Sequence, residues 1–171
     1  KNDRPSEILA ALNEAMLRQL SEDRFCTAAC VRLEPQDGSA GVGVDVSRAG
    51  HPPPLLVRPE GTVEEVGLSG RALGVFPDAE LEDTSLRLMP GEALVLYTDG
   101  VTEARSSGGD FFGEGRLRRL LSSCVGCDAA TFAARIKGVV LDFQEGYPRD
   151  DLAILVLRAR DGAVPADREL G

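Results

Sequence analysis

The apolar positions of this chain follow two periods. Between about Asp3 and Leu20, Ile8, Leu12, Met16 and Leu20 recur every fourth residue with Leu9 and Leu17 beside them, predicting an amphipathic helix that turns this stripe to a core. Asp3 stands where it can cap the helix, Pro5 is tolerated in the first turn, and Glu7 suits the positive end of the dipole. The period then falls to two. Phe25 to Glu34 reads as a strand, Pro35-Gln36-Asp37-Gly38 as its turn, and Val42, Val44 and Val46 as one face of a second strand. Gly50-His51-Pro52-Pro53-Pro54 interrupts it, because three prolines remove donors and fix φ. Leu55–Val57 and Val63–Val66, joined at Glu60-Gly61, extend an antiparallel meander.

Gly67 to Pro77 is glycine-rich and reads as a loop, with Gly70 and Gly74 lending flexibility. Thr84–Leu88 alternates as a strand, Pro90-Gly91 turns, and Ala93–Thr98 has the apolar run of a buried strand. Ser106–Asp110 is a polar loop. Helices are predicted over 114–122 and 129–145, the second with a stripe of Phe132, Ile136, Val139, Val140 and Phe143, stopped by Gly146-Tyr147-Pro148. Leu152–Leu157 returns as a strand, and the polar tail from Ala159 to Gly171 is expected to fray. Several strands, then two helices and a returning strand, without repeat or linker, predict an α+β domain with a mainly antiparallel sheet.

Composition narrows the function classes. A chain of 171 residues, 43% hydrophobic, can bury one full core. Its longest apolar runs are too short to span a bilayer and no signal-peptide core follows Lys1, so a cytoplasmic location is expected. A net charge of −9 argues against nucleic acid as a partner, and the Arg116, Arg118, Arg119 cluster is read as a solvated helix face. Cys26, Cys30, Cys124 and Cys127 can be read as a zinc site, a redox pair or incidental thiols. The last fits best: Cys26 and Cys30 share the core side of an alternating strand, and Cys124-Val-Gly-Cys127 lacks the strand-to-helix setting of a redox motif.

His51, the only histidine, stands in a rigid proline loop and is not read as a catalytic base. Neither a G-x-S-x-G elbow nor a Walker-type phosphate loop occurs. The acids remain. Asp99 closes one buried strand, and Asp150-Asp151 opens another. If those strands are antiparallel neighbours, Asp99 and Asp150 meet at one sheet edge and can share a hard divalent cation. By spacing alone the other reading stays open: Asp-Gly is a favoured turn, and paired acids solvate a strand start.

Several segments together bear a resemblance. Tyr97-Thr98-Asp99-Gly100-Val101-Thr102-Glu103-Ala104-Arg105, after Pro90-Gly91-Glu92, is similar to the TDG motif of the SpoIIE-like (RsbU-like) branch of the PPM metal-dependent protein phosphatases. Ala49-Gly50-His51-Pro52-Pro53-Pro54-Leu55 resembles that branch's AGHPPPLL segment, and Gly70-Arg71-Ala72-Leu73-Gly74 its G-x-x-LG loop. Phe112-Gly113 with Arg116-Leu117, Asp150-Asp151 leading into Leu152–Arg158, and Arg24-Phe25-Cys26-Thr27 resemble three more of its motifs, all in order between about residues 8 and 160.

The resemblance implies an αββα fold, two antiparallel sheets sandwiched between helices, over 1–160, with 161–171 a flexible tail. It implies hydrolysis of phosphoserine or phosphothreonine with two Mn²⁺ or Mg²⁺ ions, with Asp99 and Asp150 as metal ligands and Asp151 behind them. A phosphorylated anti-sigma-factor antagonist is the implied substrate, and a fused sensor module such as PAS or GAF a possible partner domain. The family's other ligands belong to an N-terminal GD-x-x-D strand and a DV-x-G-x-G segment, both upstream of the first helix, so the 171 residues are expected to hold half a metal centre. Val44-Asp45-Val46-Ser47 does not replace them, and Arg48 stands where the branch usually has Asn. Two readings follow: the C-terminal part of an active phosphatase, or a phosphatase-like domain that works by binding.

Overall fold

The structure is a computed structural model that describes residues 4–19, 24–35, 40–145 and 151–159. Its order is α1 (Pro5–Gln19), β1 (Ala28–Pro35), β2 (Val42–Ala49), β3 (Leu55–Val57), β4 (Val63–Glu65), β5 (Ser69–Gly70), β6 (Thr84–Leu88), β7 (Ala93–Tyr97), α2 (Asp99–Thr102), α3 (Gly113–Ser122), α4 (Ala129–Phe143) and β8 (Ile154–Arg158). Two four-stranded sheets form. In sheet 1, β2 is central, with β1 on one side and β6 and the short parallel β5 on the other; sheet 2 runs β4-β3-β7-β8, all antiparallel.

The apolar pattern explains the layering. Val44, Val46 and Leu88 of sheet 1 meet Leu56 and Leu94 of sheet 2 in the sandwich interior. The alternate residues of the same sheet 2 strands (Leu55, Val57, Ala93, Val95 and Tyr97) pack on Leu117 and Leu121 of α3 and Phe132, Ile136 and Val140 of α4. Strands covered on both faces carry the unbroken apolar runs seen in the sequence. On the outer face of sheet 1, Leu9 of α1 joins Ala49, Leu73 and Ala79 in a smaller cluster. The result is α1, sheet 1, sheet 2, then α3 and α4, the expected αββα sandwich. Among the described residues, no helix is long and apolar enough to cross a membrane.

Several expectations are corrected. The stripe Ile8–Leu12 does not face the core: those side chains are 46% and 44% exposed, and Leu9 with Asn13, one position on, faces inward. Val139 likewise lies outside the buried stripe of α4. Arg4 precedes α1, and the Glu7 carboxylate reaches back to accept from its N–H at 3.0 Å, half of a capping box. β1 starts at Ala28, leaving Phe25 and Cys26 exposed, so Cys26 and Cys30 do not share a strand face. Ser69–Gly70 pairs with β2 inside the predicted loop. The turn at 36–38, the helix stop at 146–148, Asp150 and the tail from 160 lie outside the described residues, as does Asp3.

The segment after β5 is pinned at two points. Leu73 exchanges two backbone hydrogen bonds with Cys26, at 2.8 and 3.0 Å, and Gly74 N–H donates to Asn13 Oδ1 at 2.8 Å. Gly74 has φ +84, and a Cβ there would lie 2.9 Å from the Arg24 carbonyl, so glycine is required for conformation and for space.

Candidate active site

The site forms at the end of the sandwich where β7 finishes. β7 and β8 pair antiparallel, Tyr97 opposite Ile154, so the residues after β7 lie beside those leading into β8. This is the neighbour relation the metal reading of Asp99 required. The contact is tight at Thr98: its N–H donates to the Ala153 carbonyl at 3.1 Å, its hydroxyl donates to the Asp151 carbonyl at 2.9 Å, and the same oxygen accepts from Ala153 N–H at 3.0 Å. Asp99 follows at once, exposed to solvent, with Asp151 exposed across the edge.

Asp99-Gly100 is no hairpin turn. Thr98 has extended backbone (φ −85, ψ 160), and Asp99 opens α2, where Glu103 N–H donates to the Asp99 carbonyl at 2.7 Å. Thr98 would ordinarily cap this helix with its hydroxyl. Here that hydroxyl is committed to the β8 approach, so α2 has no side-chain cap and the strand pair gains a lateral tie. The carboxylate of Asp99 is left at the mouth of the sheet.

Sequence reasoning missed the second contributor. His51 stands at the same end: its Nδ1 is 3.4 Å from Thr27 Oγ1 ahead of β1, and it lines one cleft with Tyr97 and Thr98. Burial holds the imidazole below the usual histidine range, opposed by the Asp99 charge and the Tyr97 backbone. Arg48, at the position that departs from the branch, donates from Nη1 to the His51 carbonyl at 2.8 Å and from Nε to the Gly67 carbonyl at 3.1 Å. The only advance signal for this cluster was the placement of the lone histidine inside a matched motif.

A cleft of about 160 Å³ opens here, lined by His51, Leu96, Tyr97, Thr98 and Ala153–Leu155. Size does not single it out. Hollows of about 280 Å³ beside α1 and about 570 Å³ beside Asp128 and Arg158 are larger, but neither is lined by the residues that end β7. Chemistry selects the smaller one, because its lining joins the histidine to the braced strand end that leads into Asp99.

Asp99 and Asp151 offer carboxylate oxygens, the donor type that Mn²⁺ and Mg²⁺ take, so the residues present fit such an ion in kind. Among the described residues, no group of three or more His, Cys, Asp or Glu side chains is placed to hold a metal. Asp150 lies outside them. The cysteines are free thiols: Cys124 is buried in the α3–α4 core with Cys127 packed against the same cluster, and Cys26 is exposed, donating to the Thr27 carbonyl at 3.2 Å. The remaining matched motifs are structural. Glu92 is buried, pairing with Arg58 at 2.6 Å and accepting from Met89 N–H at 2.8 Å, and Arg116 donates to the Phe111 and Phe112 carbonyls at the start of α3.

Comparison with known proteins agrees with this fold. The family described as Stage II sporulation protein E (SpoIIE) matches residues 1–160. Phosphoserine phosphatase RsbU of Bacillus subtilis is 25% identical over 157 residues, 91% of this chain and 45% of that protein. Protein IcfG of Synechocystis is 41% identical over 75 residues, 44% of this chain and 12% of that protein. The chain therefore spans less than half the length of these relatives. Among solved structures, the PP2C phosphatase domain of SpoIIE from Bacillus subtilis, with a fragment of its regulatory domain, gives a TM-score of 0.76 at 18% identity over 92% of this chain and 45% of that one. The RsbU and RsbW domains of Rv1364c from Mycobacterium tuberculosis give 0.71 at 23% identity, covering 95% and 44%. At such identities the structural likeness establishes the fold.

Proposed function

We propose, on the premise that this chain belongs to the Stage II sporulation protein E (SpoIIE) family, that it serves metal-dependent hydrolysis of phosphoserine or phosphothreonine on a regulatory protein. The observation that carries this reading is the β7–β8 edge, where Thr98 clamps the approach to β8 and delivers Asp99 beside it. Asp99 and Asp150 are the proposed ligands, for Mn²⁺ or Mg²⁺, and Asp151 is a supporting residue. Bound divalent cations supply neutralisation of phosphoryl charge and a water of lowered pKa. The chain's own part is to hold carboxylate oxygens still at an exposed edge, so that little reorganisation accompanies the reaction.

The substrate we propose is a phosphorylated anti-sigma-factor antagonist in a partner-switching pathway. Support comes from the similarity to RsbU and to Rv1364c, whose structure joins RsbU and RsbW domains. The test is phosphate release from such a phosphoprotein by the full-length protein with Mn²⁺. Asp99→Asn and Asp150→Asn should each lower kcat roughly 100-fold or more, the scale of losing a charge-stabilising group, with the fold retained by circular dichroism. Full activity in both variants would show the ligand assignment to be wrong. No turnover by the unmodified protein would favour a phosphatase-like binding module instead.

A further inference from the structure

We propose that the phosphoprotein substrate docks on an apolar rim around the Asp99 end of the sandwich, anchored by Phe25 and Leu68; the proposal rests on the reading of this chain as a protein phosphatase. Among the described residues, the three most exposed large apolar side chains are Phe25, Leu68 and Leu155, at 67%, 60% and 55%. All three belong to the end where β7 finishes. Leu155 lines the cleft with His51 and Thr98. Phe25 is two residues ahead of Thr27, whose Oγ1 lies 3.4 Å from His51 Nδ1. Leu68 follows Gly67, whose carbonyl accepts from Arg48 Nε at 3.1 Å, while Nη1 of the same side chain donates to the His51 carbonyl at 2.8 Å. Single exposed leucines are ordinary on a protein surface, but the most exposed ones gathering around one candidate site mark a place for a partner.

The backbone under this rim is held still. Cys26 and Leu73 exchange two hydrogen bonds, which sets Phe25 beside Gly74, and Gly74 N–H is itself held by Asn13 Oδ1 at 2.8 Å. Phe76, also exposed, lies under the Arg71 guanidinium at 5.1 Å, and Arg71 pairs with Glu80. A fixed backbone leaves little ordering to be done when a partner arrives, so burial of the exposed side chains goes into affinity. Charge points to the same partner. In a chain of net charge −9, Arg24 is exposed next to Phe25 and Arg48 reaches the His51 bend, and neither has a carboxylate partner among the described residues. A phosphorylated Ser or Thr carries a charge of about −1.5 to −2, which these two cations complement. Apolar side chains beside that phosphosite would then meet Phe25 and Leu68.

The experiment gives the full-length protein two substrates with Mn²⁺: the phosphorylated anti-sigma-factor antagonist, which can use the rim, and p-nitrophenyl phosphate, which is too small to reach it. Phe25→Ser and Leu68→Ser should each raise KM for the phosphoprotein about tenfold, the scale of truncating one interface anchor, with kcat retained. Calorimetric binding of the phosphoprotein without metal, where no turnover intervenes, should weaken by the same factor. Neither variant should change kcat/KM for p-nitrophenyl phosphate. Val139→Ser, exposed on α4 at the opposite flank, should leave both substrates unaffected. Unchanged KM and Kd for the phosphoprotein in both rim variants overturn the proposal, as does an equal loss on both substrates with the circular dichroism of the wild type. Should one variant fail to fold, the other decides. Self-association of the unmodified protein that disappears in the rim variants also overturns it, by assigning the surface to a second copy. The unmodified protein separates the two levels. Hydrolysis of the small ester without the phosphoprotein keeps the phosphatase reading and overturns the docking; hydrolysis of neither sinks both.

Discussion

The two helical flanks of the sandwich are held by different forces. On the sheet 2 side, Leu117, Leu121, Phe132, Ile136 and Val140 are all 1% exposed or less, and the cluster extends through the β3 and β7 side chains they cover. On the sheet 1 side, α1 contributes little more than Leu9 to a small cluster and leaves Ile8 and Leu12 in solvent. What secures α1 is polar. Asn13 donates to the Phe76 and Pro77 carbonyls at 2.9 and 3.4 Å and accepts from Gly74 N–H, and both oxygens of Asp83 accept from Ser6, at 2.8 and 2.6 Å. Burial is strong but not directional, so it fixes that a helix packs more firmly than how it is turned. Hydrogen bonds contribute less and specify one rotation.

Three measurements would break or sharpen this contrast. The largest effect should come from the apolar flank: Ile136→Ala, a cavity at a site with no exposure, should cost about 2–5 kcal/mol in urea-induced unfolding. A loss below about 1 kcal/mol would mean that this flank collapses around the gap and is less tightly packed than its burial implies.

The next effect is pH-dependent. Tyr97, in the same apolar cluster, has its hydroxyl pushed up to about 12, by burial first and then by the charge of Glu114. A folded-state value raised above the ordinary one of about 10 means stability that is complete below about pH 10 and lost as pH rises through about 12. Two pK units correspond to about 2–3 kcal/mol. Urea midpoints at about pH 9 and pH 12 should differ accordingly in the wild type, and the difference should shrink in Tyr97→Phe. Equal pH dependence in both would assign the alkaline loss to other groups.

The smallest effect belongs to the polar flank. Asn13→Ala strands Gly74 N–H and the Phe76 carbonyl and should cost about 1–3 kcal/mol. Hydrogen exchange should rise at Leu73 and Gly74 before it rises in α4. Uniform exchange across both flanks would contradict the idea that the polar clamp holds a separate, weaker unit.

Much of the fold was legible because periodicity reports burial. β2, β3, β6 and β7 lie where alternation or an apolar run placed them, and α3 and α4 match to within a residue or two. α1 shows where this fails. Its stripes Ile8–Leu12 and Leu9–Asn13 are neighbours on one helix, and apolarity alone favours the first. The second wins because the partners of Asn13 lie some sixty residues away in sequence, at Gly74, Phe76 and Pro77. A polar residue with a distant partner looks, in the sequence, like a surface residue.

The candidate site divides in the same way. Asp99 stands out in the sequence because an acid closing an apolar run must emerge at a strand end, and the ordered motifs around it resemble one phosphatase branch. The sequence by itself also pointed to the covered nature of β7 from its unbroken apolar run, although the similar run of β8 leaves Leu155 55% exposed. Only the tertiary structure decided that Asp99 begins a helix, that Thr98 spends its hydroxyl on Asp151 and Ala153 in place of a cap, and that His51 lines one cleft with Tyr97 and Thr98. The last two bring together segments far apart in the chain. Local propensity and periodicity carry no term for such contacts, so they become visible only once the two sheets are stacked.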